Sequence, residues 1–179
     1  MKTLLLLRHA KSGWSEAGLK DFDRPLKGKG REAATLIGTH LLASGCVPDA
    51  IISSPALRAR QTAEAVANAV SRAVSGAPDN APTLSFDQSL YEAPTEAILR
   101  VARSTGEDLE VLMLVGHNPS MQLAAVKFCG AGAPGLLADM LRGYPTAGLA
   151  RFTFREASWR DISWSGATPL DFISAKALR

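Results

Sequence analysis

A chain of 179 residues has the length of one domain, and a single globular unit over residues 1–179 is expected. Hydrophobic residues at 46% and charged residues at 21% exclude the composition of a disordered protein. A net charge of +3, spread along the chain rather than gathered in a basic stripe, excludes the usual nucleic-acid reader, and the apolar runs are too short for a membrane span.

The first predicted element is a strand over Thr3 to Leu7, four consecutive leucines that stop abruptly at Arg8 and His9. Because Arg8 interrupts this run before an apolar core is complete, no signal peptide is expected, and the location is read as cytoplasmic. "GREAATLIGTHLLASG" (Gly30 to Gly45) predicts a helix closed by Gly45. "DAIISSP" predicts a strand over Ala50 to Ser53, with Ser54 as cap and Pro55 in the first turn of the alanine-rich helix that follows. "SGAPDNAPTLS" (Ser75 to Ser85) is expected to be a surface loop. "TEAILRVARS" predicts a helix capped by Thr95, and "LEVLMLVG" a buried strand ending at Gly116. "HNPSMQLAAVKFC" predicts a helix with Asn118 as cap, and "CGAGAPG" a loop. "GLARFTF" and "ASWRDISW" alternate as antiparallel strands do. Short apolar strands alternating with helices predict an α/β fold, three-layered and with a mostly parallel central sheet.

Three strand-to-helix junctions carry the chemistry: Leu7 into Arg8 and His9, Ser53 into Ser54, Pro55 and Arg58, and Val115 into Gly116, His117 and Asn118. Ligands of open parallel sheets bind beyond the carboxyl ends of the strands. If the three strands are parallel neighbours, two arginines and two histidines converge there, with helix N-termini supplying further N–H donors.

Paired guanidiniums suit phosphate, because they fork onto its oxygens and stay protonated. A neutral imidazole beside them can attack phosphorus, and positive surroundings favour that neutral form. His9 is the candidate nucleophile, Arg8 and Arg58 the phosphate ligands, and His117 a donor to the transferring phosphoryl group. Such a site calls for neither metal nor cofactor. His40, within a helix, is read as a packing or surface residue, and Cys46 and Cys129 as free thiols without metal-site spacing.

These residues resemble the histidine phosphatase superfamily, whose Arg-His-Gly hallmark stands here as Arg8, His9 and Ala10. The segments "LLLLRHAKSGW", "DFDRPLKGKGREAA", "DAIISSPALRARQTAEAV", "VLMLVGHNPSM" and "YPTAGLARFTF" are similar, in order, to those of the small SixA-type branch of phosphohistidine phosphatases. The resemblance implies a phosphoglycerate mutase-like fold and a covalent phosphohistidine on His9. It also assigns Arg8 and Arg58 to phosphate binding and His117 to the completed pocket, with Arg60 the less favoured arginine. Members that cleave esters supply a Glu or Asp to protonate the leaving alkoxide. Here Glu92 is the nearest candidate, with Asp21 and Asp23 as further options.

An alkoxide benefits from such an acid by about a hundredfold or more, whereas an imidazole leaves a P–N bond more easily. The expected substrate is therefore a phosphohistidine-bearing protein, with no nucleic-acid or membrane partner. The alternatives are a small-molecule phosphomonoesterase using Glu92 as acid, and a non-catalytic module that recognises phosphorylated partners. Whether Lys11, Ser12 or Trp14 reaches the ligand stays open at this level.

Overall fold

Four leucines in a row cannot alternate between core and solvent, so the strand they form must be buried on both faces. In the computed structural model, which describes residues 1–13, 18–73 and 81–179, that strand is β1 (Lys2–Arg8). Leu4 and Leu6 enter one apolar cluster, Leu5 and Leu7 the other, and all four are fully buried.

The remaining elements follow as α1 (Gly28–Ala43), β2 (Ala50–Ser53), α2 (Leu57–Ala73), β3 (Thr83–Phe86) and α3 (Thr95–Arg103). After them come β4 (Val111–Gly116), α4 (Ser120–Cys129), α5 (Pro134–Arg142), β5 (Gly148–Phe154) and β6 (Ala167–Ser174). The sheet order is β3-β2-β4-β1-β5-β6. The first four strands run parallel, and β5 and β6 close one side antiparallel. Residues of α1 and α2 pack with Leu5, Leu7, Ile51, Met113 and Val115 on one face. Residues of α3, α4 and α5 pack with Leu4, Leu6, Leu112 and Leu114 on the other. The three-layer α/β architecture with a mostly parallel sheet is thus the one expected.

Helices α1 and α2 approach closely at Gly38, where an added Cβ would lie 2.6 Å from the Cβ of Ala69 and 2.9 Å from the Val66 carbonyl oxygen. The glycine's missing side chain is what lets the two backbones meet. Gly45, just beyond α1, has φ +66°, the left-handed conformation that suits a glycine after a helix end.

Several expectations need correction. "ASWRDISW" forms no strand: Trp159–Asp161 and Trp164–Gly166 are 3₁₀ turns, and the sixth strand is Ala167–Ser174. Trp159 is fully buried, with its indole N–H donating to the Leu109 carbonyl at 2.8 Å, so its spacing from Ile162 reflects core anchoring by a turn. Residues 83–85, expected in a loop, lie in β3, and residues 75–80 of that stretch fall outside the described residues. The loop "CGAGAPG" yields at Pro134 to α5, with proline in the first turn, where its missing N–H costs nothing. Thr95 is already helical and Pro94 is the cap; Pro119 likewise takes the cap position expected of Asn118.

Candidate active site

Strand register sets the site. Arg8 pairs with Gly116 across β1 and β4, and Ser53 with Val115 across β2 and β4, so the carboxyl ends of the three strands are level. The pairing continues one step further, with His9 N–H donating to the Gly116 carbonyl at 3.0 Å and Ser54 N–H to the Val115 carbonyl at 2.9 Å. His9, Ser54 and His117 therefore emerge side by side, and Arg58 joins them from the first turn of α2. His9 and His117 are each 8% exposed and Arg58 6%.

The ring centroids of His9 and His117 are 5.1 Å apart, and Arg58 reaches both. Its Nε donates to His9 Nε2 at 3.3 Å, and its Nη2 lies 3.3 Å from His117 Nδ1. The Ala10 carbonyl, 2.8 Å from His9 Nδ1, can only accept, so the His9 proton sits on Nδ1 and the Nε2 lone pair faces Arg58. By the same logic His117 Nδ1 accepts from Arg58, and its Nε2–H donates to Ser54 Oγ at 2.8 Å. Thr62 fastens the junction: its hydroxyl accepts from Ala10 N–H at 3.0 Å and donates to the Arg58 carbonyl at 2.6 Å.

Arg8 is anchored separately, its Nη1 donating to the Tyr144 carbonyl at 2.6 Å. Its Nε is buried without a hydrogen-bond partner among the described residues. Beside it a groove of about 540 Å³ runs past Asn118, Gln122, Asp139 and Arg142. Arg60 lies over the Phe86 ring, 4.6 Å from its centroid, rather than toward the histidines. Glu92 is exposed, has a left-handed backbone (φ 52°) and follows Tyr91, whose ring meets His117 edge-on at 5.6 Å. Ser12 Oγ accepts from Arg24 at 3.1 Å, Lys11 is exposed, and Trp14 lies outside the described residues.

Burial, and then the charges of Arg58, Arg8 and Arg24, hold the His9 pKa down at about 4, against the opposing hydrogen bond to Ala10. Burial, followed by the neighbouring His9 and Arg58, lowers His117 to about 3. Both imidazoles are therefore neutral at pH 7. Desolvation of Asp21 works against its ionisation, but hydrogen bonds from Arg24 and Arg58 outweigh it and keep the carboxyl at about 2. A neutral nucleophile-capable imidazole between fixed cations is an arrangement that binds and attacks an electrophilic anion such as a phosphoryl group. Among the described residues no group of three or more His, Cys, Asp or Glu side chains gathers as a metal site.

The structure thus brings Arg58, His9 and His117 into direct contact, and sets Arg8 alongside. Four participants were not assigned these roles from sequence. Ser54 was read only as a cap, Asp21 only as a possible acid, and Tyr91 and Tyr144 not at all. The Asp21 and Tyr144 contacts arrive from distant loops, and local patterning carries no signal for them.

Residues 4–79 match the family described as the histidine phosphatase superfamily (branch 1). An uncharacterized protein of Mycobacterium tuberculosis is 31% identical over 159 residues, covering 87% of this chain and 91% of that one. An uncharacterized chloroplastic protein of Arabidopsis thaliana is 30% identical over 132 residues, and the chain spans 60% of that relative's length. Among solved structures, a candidate phosphohistidine phosphatase SixA from Agrobacterium tumefaciens superposes with a TM-score of 0.77 at 31% identity, over 97% of both chains.

Proposed function

The chain belongs to the histidine phosphatase superfamily, in its SixA-type branch, and we propose that it removes the phosphoryl group from protein-borne phosphohistidine through a covalent intermediate on His9. The observation that carries this reading is the His9 Nε2 lone pair, buried and neutral, held between Arg58 and His117. In the first step Nε2 attacks phosphorus, the new P–Nε2 bond forms, and the substrate's P–N bond breaks. The leaving imidazole keeps the bonding pair and takes a proton from water. In the second step water attacks the phosphorus, the P–Nε2 bond breaks, and inorganic phosphate departs with His9 restored.

Arg58 exchanges its long contacts to the two histidines for phosphoryl oxygens, and the buried Arg8 Nε supplies a further donor. His117 must then present an N–H from Nδ1. The Ser54 hydroxyl, which can accept or donate, permits that change of tautomer by reversing its bond to Nε2. The groove beside Arg8 offers room for the polypeptide that bears the phosphohistidine. Support for a P–N substrate comes also from Asp21, which is ionised and engaged at neutral pH and so has no proton to give an alkoxide.

Incubation with a phosphohistidine protein, followed by rapid quench at alkaline pH, should trap acid-labile phosphate on the wild type, whereas His9→Ala should show neither trapped phosphate nor turnover. Full turnover by His9→Ala would refute the mechanism, and stable phosphate binding without turnover by the wild type would favour a recognition module.

A second reading, hydrolysis of a small phosphate monoester, draws on Glu92, whose left-handed backbone sits next to Tyr91 at the rim of the site. It expects Glu92→Gln to slow alkyl phosphate hydrolysis strongly while leaving phosphoenzyme formation from aryl phosphates intact.

A further inference from the structure

The contacts of Arg58 divide between the two edges of its guanidinium. The inner edge, Nε and Nη2, faces His9 and His117 with two contacts of 3.3 Å, long for hydrogen bonds and easily exchanged. The outer edge, Nη1 and Nη2, is held firmly by a single residue: Nη1 donates to the Asp21 carbonyl oxygen at 2.6 Å, and Nη2 to Asp21 Oδ2 at 2.9 Å. Asp21 is itself fixed by two further donors, one of them braced in turn. Arg24 Nη1 donates to Oδ1 at 2.9 Å, Tyr91 OH donates to Oδ2 at 3.1 Å, and Arg24 is braced by Ser12 Oγ at 3.1 Å.

We propose that Asp21 is a positioning residue: it clamps the outer edge of Arg58 so that the inner edge is presented, planar and preoriented, to a phosphoryl group between His9 and His117. The assignment rests on the reading of Arg58 as a phosphoryl ligand. A guanidinium on a flexible stem loses rotamer freedom when it binds an anion, and a clamp incurs that loss during folding instead. The division of the edges matters, because a carboxylate competing with substrate would occupy the inner edge, whereas Asp21 leaves that edge to the histidines. A residue serving as leaving-group acid would need a proton, and the Asp21 carboxylate already receives three charged or hydroxyl donors.

The test compares wild type, Asp21→Ala and Asp21→Asn in calorimetric titrations with inorganic phosphate, and in kcat/KM for aryl phosphates of graded leaving-group pKa. Asp21→Ala should weaken phosphate binding by about tenfold or more. Its kcat/KM should fall by the same factor for good and poor leaving groups. Asp21→Asn, which keeps an acceptor for Nη2, should recover most of both, and thermal melts of the two variants establish that the comparison is between folded proteins. Tighter or unchanged phosphate binding in Asp21→Ala would overturn the clamp. So would a loss confined to poor leaving groups, which is the signature of an acid. If the wild type binds phosphate but forms no phospho-His9, the phosphatase reading fails while the titration still decides the clamp.

Discussion

At the scale of single residues, the site depends on keeping one imidazole neutral among cations. His9 has its pKa lowered to about 4, chiefly by burial, so protonation of Nε2 begins only in acid well below the ordinary 6.5 of histidine. In the proposed mechanism, protonation consumes the lone pair that attacks phosphorus. The kcat/KM profile of the free enzyme should therefore stay level on its acid side from pH 7 to about 5 and fall tenfold per pH unit below about 4. A stopped-time assay in overlapping buffers measures it, and an acid limb centred near 6.5 would mean that the nucleophile is not the buried His9. Arg8, His9, Arg58 and His117 were legible in the sequence because each stands within a few residues of a strand end, and strand ends can be read from apolar runs. Asp21 was visible only as one carboxylate among several. Its partners Arg58 and Tyr91 are far along the chain, and its role follows from which guanidinium edge it touches.

At the scale of elements, what was legible followed burial. The doubly buried β1, β2 and β4 announce themselves as continuous apolar runs, whereas β3 is short, at the sheet edge and mostly exposed, so it carries no such run. Strand β6 was hidden for a related reason: it is an edge strand with Pro169 beside a register shift, where a missing N–H is tolerated. Helix α5 starts at a proline inside glycine-rich sequence, and its cap provides no side-chain signal. The joint between β1 and α2 is made by the Thr62 hydroxyl, which ties the Ala10 N–H to the Arg58 carbonyl. Thr62→Val keeps the side-chain shape and removes that hydroxyl, leaving the buried Ala10 N–H unpaired. A stability loss of about 1–3 kcal/mol is expected in urea unfolding. Turnover should fall as well, because the loop that orients the His9 ring through the Ala10 carbonyl loses its fastening. An unchanged urea midpoint would show that Ala10 N–H finds another partner.

At the scale of the molecule, the two halves of the sheet have separate tasks: the parallel half delivers the histidines, and the antiparallel half anchors Arg8 through the turn before β5. Tyr144 joins them, its hydroxyl donating to the Leu6 carbonyl at 2.7 Å and accepting from Ala150 N–H at 3.1 Å. Burying two imidazoles at the ends of β1 and β4 couples global stability to pH. Unfolded, both histidines titrate near 6.5; folded, they titrate at about 4 and about 3. Between those values the unfolded chain binds more protons than the native one, so stability is greatest above 6.5 and declines as pH falls toward 4 and 3. The decline should reach several kcal/mol, large against the roughly 5–15 kcal/mol that holds a domain together. Asp21 acts in a lower window: its carboxyl is held at about 2 against an ordinary 3.8, so its contribution persists above 3.8 and disappears toward 2. Urea midpoints measured from pH 7 downward should thus fall first through the histidine window and then through that of the carboxylate. A His9→Gln, His117→Gln double variant should flatten the upper fall and keep the lower, and Asp21→Asn should do the reverse. A wild-type profile level between pH 6.5 and 4 would contradict the burial of neutral imidazoles on which both the fold's acid sensitivity and the chemistry of His9 depend.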